Sequence, residues 1–324
     1  MERGILKVTI TTPSRLHFGI IDLRGDLGRI HGSAGVAIDT PNIVLEAERS
    51  NELLAHGERA ERVIRFASEI FDQTGLKGGV EFTLNSDIPE HRGFGSGTQL
   101  ALAVILAIKK LYGLNIDLFA GAKILERSRR SGVGAHLFLH GGFILDGGRK
   151  INEVDVIPPM LFRGDIPKDW RFVLGVPEIN LRVAGKEEDN AFKKLEPPPE
   201  ELIWRISHTV LLEMLPGIIE EDIQVFGRSM SKMDSIFGDY WIKVQGGRYG
   251  HPFIYKGVNF LLDNGAYGAG QSSWGPAFYG LAQDQKHAEQ LSNGLRDFFE
   301  DEHIAGNSFI SKPQNTGAIV VTEE

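Results

Sequence analysis

"IPEHRGFGSGTQLALAV", residues 88–104, sets Gly93, Gly95 and Gly97 directly before an apolar run, with Ser96 and Thr98 interleaved and Arg92 alongside. Glycine lets the backbone approach a ligand closely and adopt positive φ. A helix beginning near Ser96 or Gly97 presents unpaired N–H groups and the positive end of its dipole. Together these make an anion cradle of the kind that holds phosphate. The loop is not a Walker A motif, because no Gly-Lys-Ser/Thr closes it. Nor is it a dinucleotide fingerprint, because "SDIPEHR" separates it from the preceding strand and no acidic residue follows at the required place. A tight turn whose glycines serve only close packing is the competing reading.

Working outward, residues 98–111 are apolar on nearly every face, which predicts a helix buried between layers. Residues 58–74 carry Ala60, Val63, Ile64, Ala67, Ile70 and Phe71 at amphipathic-helix spacing. A third helix is predicted from Asp117, as N-cap, to about Arg129. Ile5–Thr12, Ile43–Glu48 and Val80–Leu84 are strand-like, and "HLFLHGGFILDGGRK" reads as glycine-punctuated strands. That places His136 and His140 on one strand face. The stretch 155–167, with three prolines, reads as a crossover between domains. Beyond it come a strand at Trp170–Val176, a helical region after "PPP" at 197–199, and a final strand-like "TGAIVVT". This order argues for α+β rather than a doubly wound parallel sheet.

The 324 residues suffice for two domains. With 35 Lys and Arg against 43 Asp and Glu, the net charge is −8, and there is no basic block. This argues against nucleic-acid or anionic-membrane partners. No cysteine is present, which excludes disulfides, thiolate nucleophiles and Cys-based metal sites. The charged, strand-like N-terminus does not resemble a signal peptide, and no uninterrupted apolar run reaches the roughly 18 residues of a membrane span. A cytoplasmic location is expected.

Two further glycine-rich stretches accompany the central loop. "TTPSRLHFGIIDLRGDLGRIHGSAG", residues 11–35, mixes Arg15, His17, Arg24, Arg29 and His31 with Asp22 and Asp26; "NGAYGAGQSSWGPAFYGL", residues 264–281, leads into an apolar strand. The three together, as "PSRLHFG", "PEHRGFGSG" and "YGAGQSS", resemble the motifs of the GHMP small-molecule kinase superfamily along the whole chain. The resemblance implies a two-domain GHMP-kinase-like α+β fold. It comprises a ribosomal S5 domain 2-like N-terminal domain, residues 1–157, with the phosphate loop, and a ferredoxin-like C-terminal domain, residues 158–324.

Two departures separate the chain from the kinases. Their central loop has a second serine that helps to place Mg²⁺, where this chain has Gly97. Their Ser-Gly-x-Asp motif supplies an aspartate that promotes attack by the substrate hydroxyl, where "RRSGVGAHLF" has Gly134. Losing both keeps the anion cradle and discards phosphoryl transfer, which works through positioning and metal-assisted charge stabilisation.

The strings above, with "SGVGAHLFLHGGFILDGG" and "VQGGRYGHP", resemble one branch, the β-ribofuranosylaminobenzene 5′-phosphate synthases of tetrahydromethanopterin biosynthesis. That resemblance implies condensation of 4-aminobenzoate with phosphoribosyl diphosphate (PRPP), releasing CO2 and diphosphate; because the para substituent need only donate electrons into the ring, 4-hydroxybenzoate is expected to substitute for it. It also implies Mg²⁺ and a homodimer. His17 and Arg15 become the catalytic candidates. Arg29, His31, Arg92, Gly93, Gly95, Ser96, Gly97, Thr98, Arg248, Tyr249, Gln271, Ser272, Ser273 and Trp274 are the substrate-binding candidates, with Trp274 and Tyr249 as flat walls for the arene. Asp22 and Glu126 are the metal candidates. An ATP-dependent GHMP-type kinase is the alternative enzyme, and a non-catalytic ligand-binding protein the alternative class.

Overall fold

The computed structural model describes residues 6–125, 127–128, 130–179, 181 and 196–324. The larger sheet is built on two long antiparallel strands, β1 (Lys7–Asp22) and β2 (Arg29–Ser50). Bulges between Thr12 and Ser14 and between His17 and Gly19 re-aim the side chains of β1. The strand expected to end at Thr12 therefore continues through the first glycine motif, residues 11–35, which spans the end of β1, a turn and the start of β2. β3 (Leu54–His56), β4 (Gly79–Ser86), β5 (Phe143–Asp146), β6 (Arg149–Lys150) and β7 (Met160–Gly164) complete the sheet with β12 (Ile319–Glu323), which pairs with β1.

Helix α1 (Ala60–Thr74) buries Val63, Phe66, Ala67, Ile70 and Phe71, the predicted stripe. Helix α2 (Ser96–Tyr112) is buried from Gln99 to Ile108 without a polar face, as its sequence requires. Truncating Leu102 here would cost about 2–5 kcal/mol, the range for emptying a packed aliphatic site. Asp117 caps α3 (Leu118–Ile124), its carboxylate accepting the Ala120 N–H at 2.9 Å, but the helix stops well before the expected end. Helix α4 (Val133–His140) replaces the strand expected there, so His136 and His140 lie one turn apart on a helix, their rings 6.3 Å apart. "VGAHLFLH" is apolar enough for either structure. Gly141, φ 61°, ends the helix, and the strand begins only at Phe143.

The second sheet has the order β11-β8-β10-β9, all antiparallel, from β8 (Arg171–Pro177), β9 (Ala269–Gln271), β10 (Phe278–Ala282) and β11 (Gly306–Ser311). In chain order this is the 4-1-3-2 arrangement of a ferredoxin-like domain, as expected. Its helices are α5 (Glu200–Ile219), α6 (Ile223–Gln245), α7 (Pro252–Asp263) and α8 (Gln285–Asp301). Helix α5 is long enough to cross a bilayer and apolar over much of its length. Arg205 and Glu213 interrupt it, and Ile206, Val210, Met214 and Ile218 pack into the core at four-residue spacing. One buried apolar cluster runs from Val8 through α2 to Met230, Tyr279 and Leu281, so the two sheets share a core.

Candidate active site

The three glycine motifs meet. The Arg15 N–H donates to Phe94 O (3.1 Å), the Ala277 N–H to Arg92 O (3.2 Å), and the Ser273 N–H to His17 O (3.3 Å). The buried Ser272 hydroxyl donates to Gly93 O at 2.8 Å and accepts the His17 N–H at 3.1 Å. Gly93 has φ 96°, and a Cβ there would strike the Ser272 carbonyl; a Cβ on Gly275 would strike the backbone of Arg92 and Gly93. These glycines serve loop-on-loop packing, which was the competing reading of the motif.

Ligand space remains beside them. Gly95, φ 76°, stands before α2 without a side-chain cap, leaving the first N–H groups of the helix directed outward. They border a cavity of about 300 Å³ lined by Arg15, Arg62, Glu90, Gly93–Thr98, Arg127, Ser273 and Trp274. A Cβ on Gly95 would lie 2.7 Å from Arg15 Nε, and one on Gly97 would lie 2.8 Å from the Arg62 guanidinium and 3.3 Å from that of Arg127. Both of these guanidiniums also flank the Phe66 ring, at 5.5 and 5.4 Å. Glu90 pairs with Arg62, and its pKa is lowered by Arg62 and Arg59 against the opposing effect of burial. Guanidinium charge therefore borders Gly97 on two sides.

A second cavity, about 520 Å³, shares Arg15, Thr98, Arg127, Ser273 and Trp274 with the first. It extends to His17, Asp234, Trp241, Gln245, Arg248, Tyr249 and Gln271. Trp241 and Trp274 meet edge to face, centroids 4.5 Å apart, in an indole corner. His17 is buried, and burial, then the neighbouring Arg15, holds its pKa well below the usual imidazole value, so the ring is neutral at pH 7. Arg248 is held by Asp239, Nε to Oδ1 at 2.7 Å. Gln271 Nε2 donates to Gly275 O at 2.7 Å, bracing the third loop.

Among the described residues, five sequence candidates stand away from both cavities. Arg29 donates to the Gly147 and Gly148 carbonyls at 3.0 and 2.8 Å, and Arg92 to Pro177 O at 2.9 Å, so both side chains brace backbone. His31, at φ 75°, is buried, and its pKa is lowered to about 4 by burial, Arg149 and Arg130. Asp22 accepts the N–H groups of Arg24 and Gly25 at 2.6 and 3.0 Å, closing a turn. Glu126 lies outside the described residues. Ser272 is buried behind the loops, where it acts as their latch. Sequence reasoning missed Arg62, which sits on the polar side of an amphipathic helix, and Asp234, whose signal is a carboxylate inside the buried stripe Met230, Met233, Trp241.

Residues 61–142 match the GHMP kinases N-terminal domain, and residues 214–301 the GHMP kinases C-terminal domain. The sequence is 33% identical over 301 residues to β-ribofuranosylphenol 5′-phosphate synthase of Methanothermobacter thermautotrophicus, covering 87% of this chain and 90% of the relative. It is 34% identical over 320 residues to the protein of that name from Archaeoglobus fulgidus, covering 95% and 97%. The chain belongs to the β-ribofuranosylphenol 5′-phosphate synthase family. Like its relatives in this synthase family, it is an enzyme. Mevalonate kinase of L. major shares the fold at TM-score 0.71 with 15% identity, over 95% of this chain and 96% of that one.

Gly134 is a sterically permissive position. A Cβ there would meet Thr98 at 3.5 Å and Arg15 at 3.8 Å, ordinary contact distances, at a helical position without positive φ. Gly134→Asp should therefore fold, yet it brings a carboxylate against Arg15. Affinity for diphosphate is expected to fall about tenfold or more, roughly 1.4 kcal/mol, with no gain of ATP turnover. Isothermal titration with inorganic diphosphate and an ATPase assay check both halves.

Proposed function

We propose that this synthase joins PRPP to a para-substituted benzoate, with release of CO2 and diphosphate, giving a ribofuranosylarene 5′-phosphate. The observation that carries this reading is the junction of the two cavities: the glycine-loop cradle and Arg15 open directly onto the indole corner. PRPP brings two anionic groups, which suit the α2 N-terminus with Arg15, Arg62 and Arg127. The relatives' printed name specifies a phenol product, which favours 4-hydroxybenzoate over 4-aminobenzoate as the first arene.

The bond from ribose C1 to the diphosphate oxygen breaks, its electron pair leaving with diphosphate. The ring carbon bearing the carboxylate then attacks C1. Finally the carbon–carboxylate bond breaks, its electrons restore the aromatic ring, and CO2 departs. Arginines around Gly97 stabilise the departing diphosphate, and Trp241 with Trp274 orients the ring. No group of three acidic or histidine side chains placed to hold a metal ion occurs among the described residues. Mg²⁺ would enter with the diphosphate, with Glu90 as the carboxylate at hand in that cavity to hold it. When bound, it adds positive charge to the leaving group.

Neutral His17 is a preorganised donor at the cavity wall. His17→Ala is expected to raise the barrier by about 2–4 kcal/mol while PRPP affinity changes little; steady-state turnover and titration separate the two. Incubation with PRPP, Mg²⁺ and each arene tests the reaction itself. CO2 release with 4-hydroxybenzoate and none with unsubstituted benzoate is expected, because the para group must donate electrons into the ring. ATP consumption with an alcohol acceptor would instead support a kinase.

A further inference from the structure

Asp234 is 6% exposed and forms part of the wall of the larger cavity, where it is the only carboxylate among the described lining residues. It is held firmly. Its Oδ1 accepts the Gln271 N–H at 2.9 Å, its Oδ2 accepts the Tyr249 hydroxyl, and a Cβ on Gly270 would lie 2.7 Å from its carboxyl carbon. The charges around that wall are otherwise cationic or neutral: Arg15, Arg127, Arg130 and Arg248, with neutral His17. Those two hydrogen bonds and the nearby Arg248 offset part of the cost of burying this carboxylate, and a ligand group that donates a hydrogen bond or carries positive charge would offset more. The diphosphate and the arene carboxylate are both anions and cannot.

The proposed reaction supplies the missing counterpart. As ring carbon attacks ribose C1, positive charge spreads through the ring onto the para heteroatom, and its O–H or N–H becomes a far stronger donor. An interaction that strengthens in the transition state lowers the barrier, whereas one equally strong in the ground state does not. We propose that Asp234 accepts the hydrogen bond of the arene's para hydroxyl or amino group and stabilises the cationic character that develops there, with Tyr249 as the positioning residue that aims it. This rests on the reaction proposed above and adds its specificity device: the arene needs a para group that donates both electrons and a hydrogen bond. The arene carboxylate then faces the arginines, and the para group the single acid.

Burial raises the pKa of Asp234 to about 7; the Tyr249 hydroxyl, the Gln271 N–H and Arg248 lower it, and Asp239 raises it. Tyr249 and Tyr279, the other titratable groups packed against it, both have raised pKa values and stay protonated. The working form is the anion, so turnover should rise with pH through about 7 as Asp234 loses its proton. Tyr249→Phe removes a hydrogen bond that favours the anion, which moves this limb to higher pH.

The test compares 4-hydroxybenzoate with 4-methoxybenzoate, which donates electrons but has no para O–H, in the full chain with PRPP and Mg²⁺. Wild type should turn over the hydroxy arene at least about 10²-fold faster. Asp234→Asn should lose about 10²- to 10³-fold in kcat on the hydroxy arene, the range for removing one transition-state electrostatic partner. It should also lose the acid limb and discriminate little between the arenes, with PRPP affinity retained. Equal turnover of both arenes by wild type, or an undiminished kcat in the Asn variant, overturns the role of Asp234 while leaving the reaction standing. Should Asp234→Asn fail to fold, Tyr249→Phe decides, since an unmoved acid limb overturns the assignment. Absence of turnover by wild type with any arene overturns the reaction and this inference together.

Discussion

Arg15→Met should lower turnover by about 10²- to 10³-fold, equivalent to about 2.7–4 kcal/mol of barrier. Arg15 is one of the residues that line both cavities, and its side chain lies across Gly95 at the point where they join. In the proposed reaction that point carries the breaking bond, with diphosphate on one side and the incoming ring on the other. Its position on β1 between two bulges is fixed by the Arg15 N–H bond to Phe94 O, which the substitution leaves intact. The loss should therefore appear in kcat, with the thermal midpoint close to that of wild type. Turnover within threefold of wild type would remove Arg15 from the reaction.

Ser96→Asp should move stability and binding in opposite directions. Residue 96 is the first of α2, where a carboxylate meets the positive end of the helix dipole. The folded chain should be as stable as wild type or more so, by up to about 1 kcal/mol. The same carboxylate occupies the charge that a phosphate would use, so PRPP affinity should fall about 10²-fold or more. Thermal denaturation and PRPP titration on one preparation check both. A stabilised variant that binds PRPP normally would mean that the loop serves packing alone.

Local geometry made the glycine loop and its helix legible in the sequence. A glycine run followed by an apolar segment as long as 98–111 reads as a turn into a buried helix, and α2 begins at Ser96 as that reading requires. The cations were less legible, because an arginine in a motif can serve a ligand or a backbone carbonyl. Arg15 lines the site, while Arg29 and Arg92 spend their donors on carbonyls. Arg62 gave no local sign of its surroundings, and Asp234 only that of a carboxylate set in an apolar stripe. Arg62 reaches Gly97 only through the packing of α1 on α2, and Asp234 reaches the cavity only through the packing of α6 against β9. The segment holding His136 and His140 misleads because a short apolar run fits either period.

The most direct test of the central claim is single-turnover reaction of the full chain with PRPP, Mg²⁺ and carboxyl-labelled 4-hydroxybenzoate, without ATP. The account predicts labelled CO2 and diphosphate in equal amounts, together with a phosphorylated product whose ribose is bonded to ring carbon. Diphosphate without labelled CO2, or labelled CO2 only when ATP is added, would contradict it.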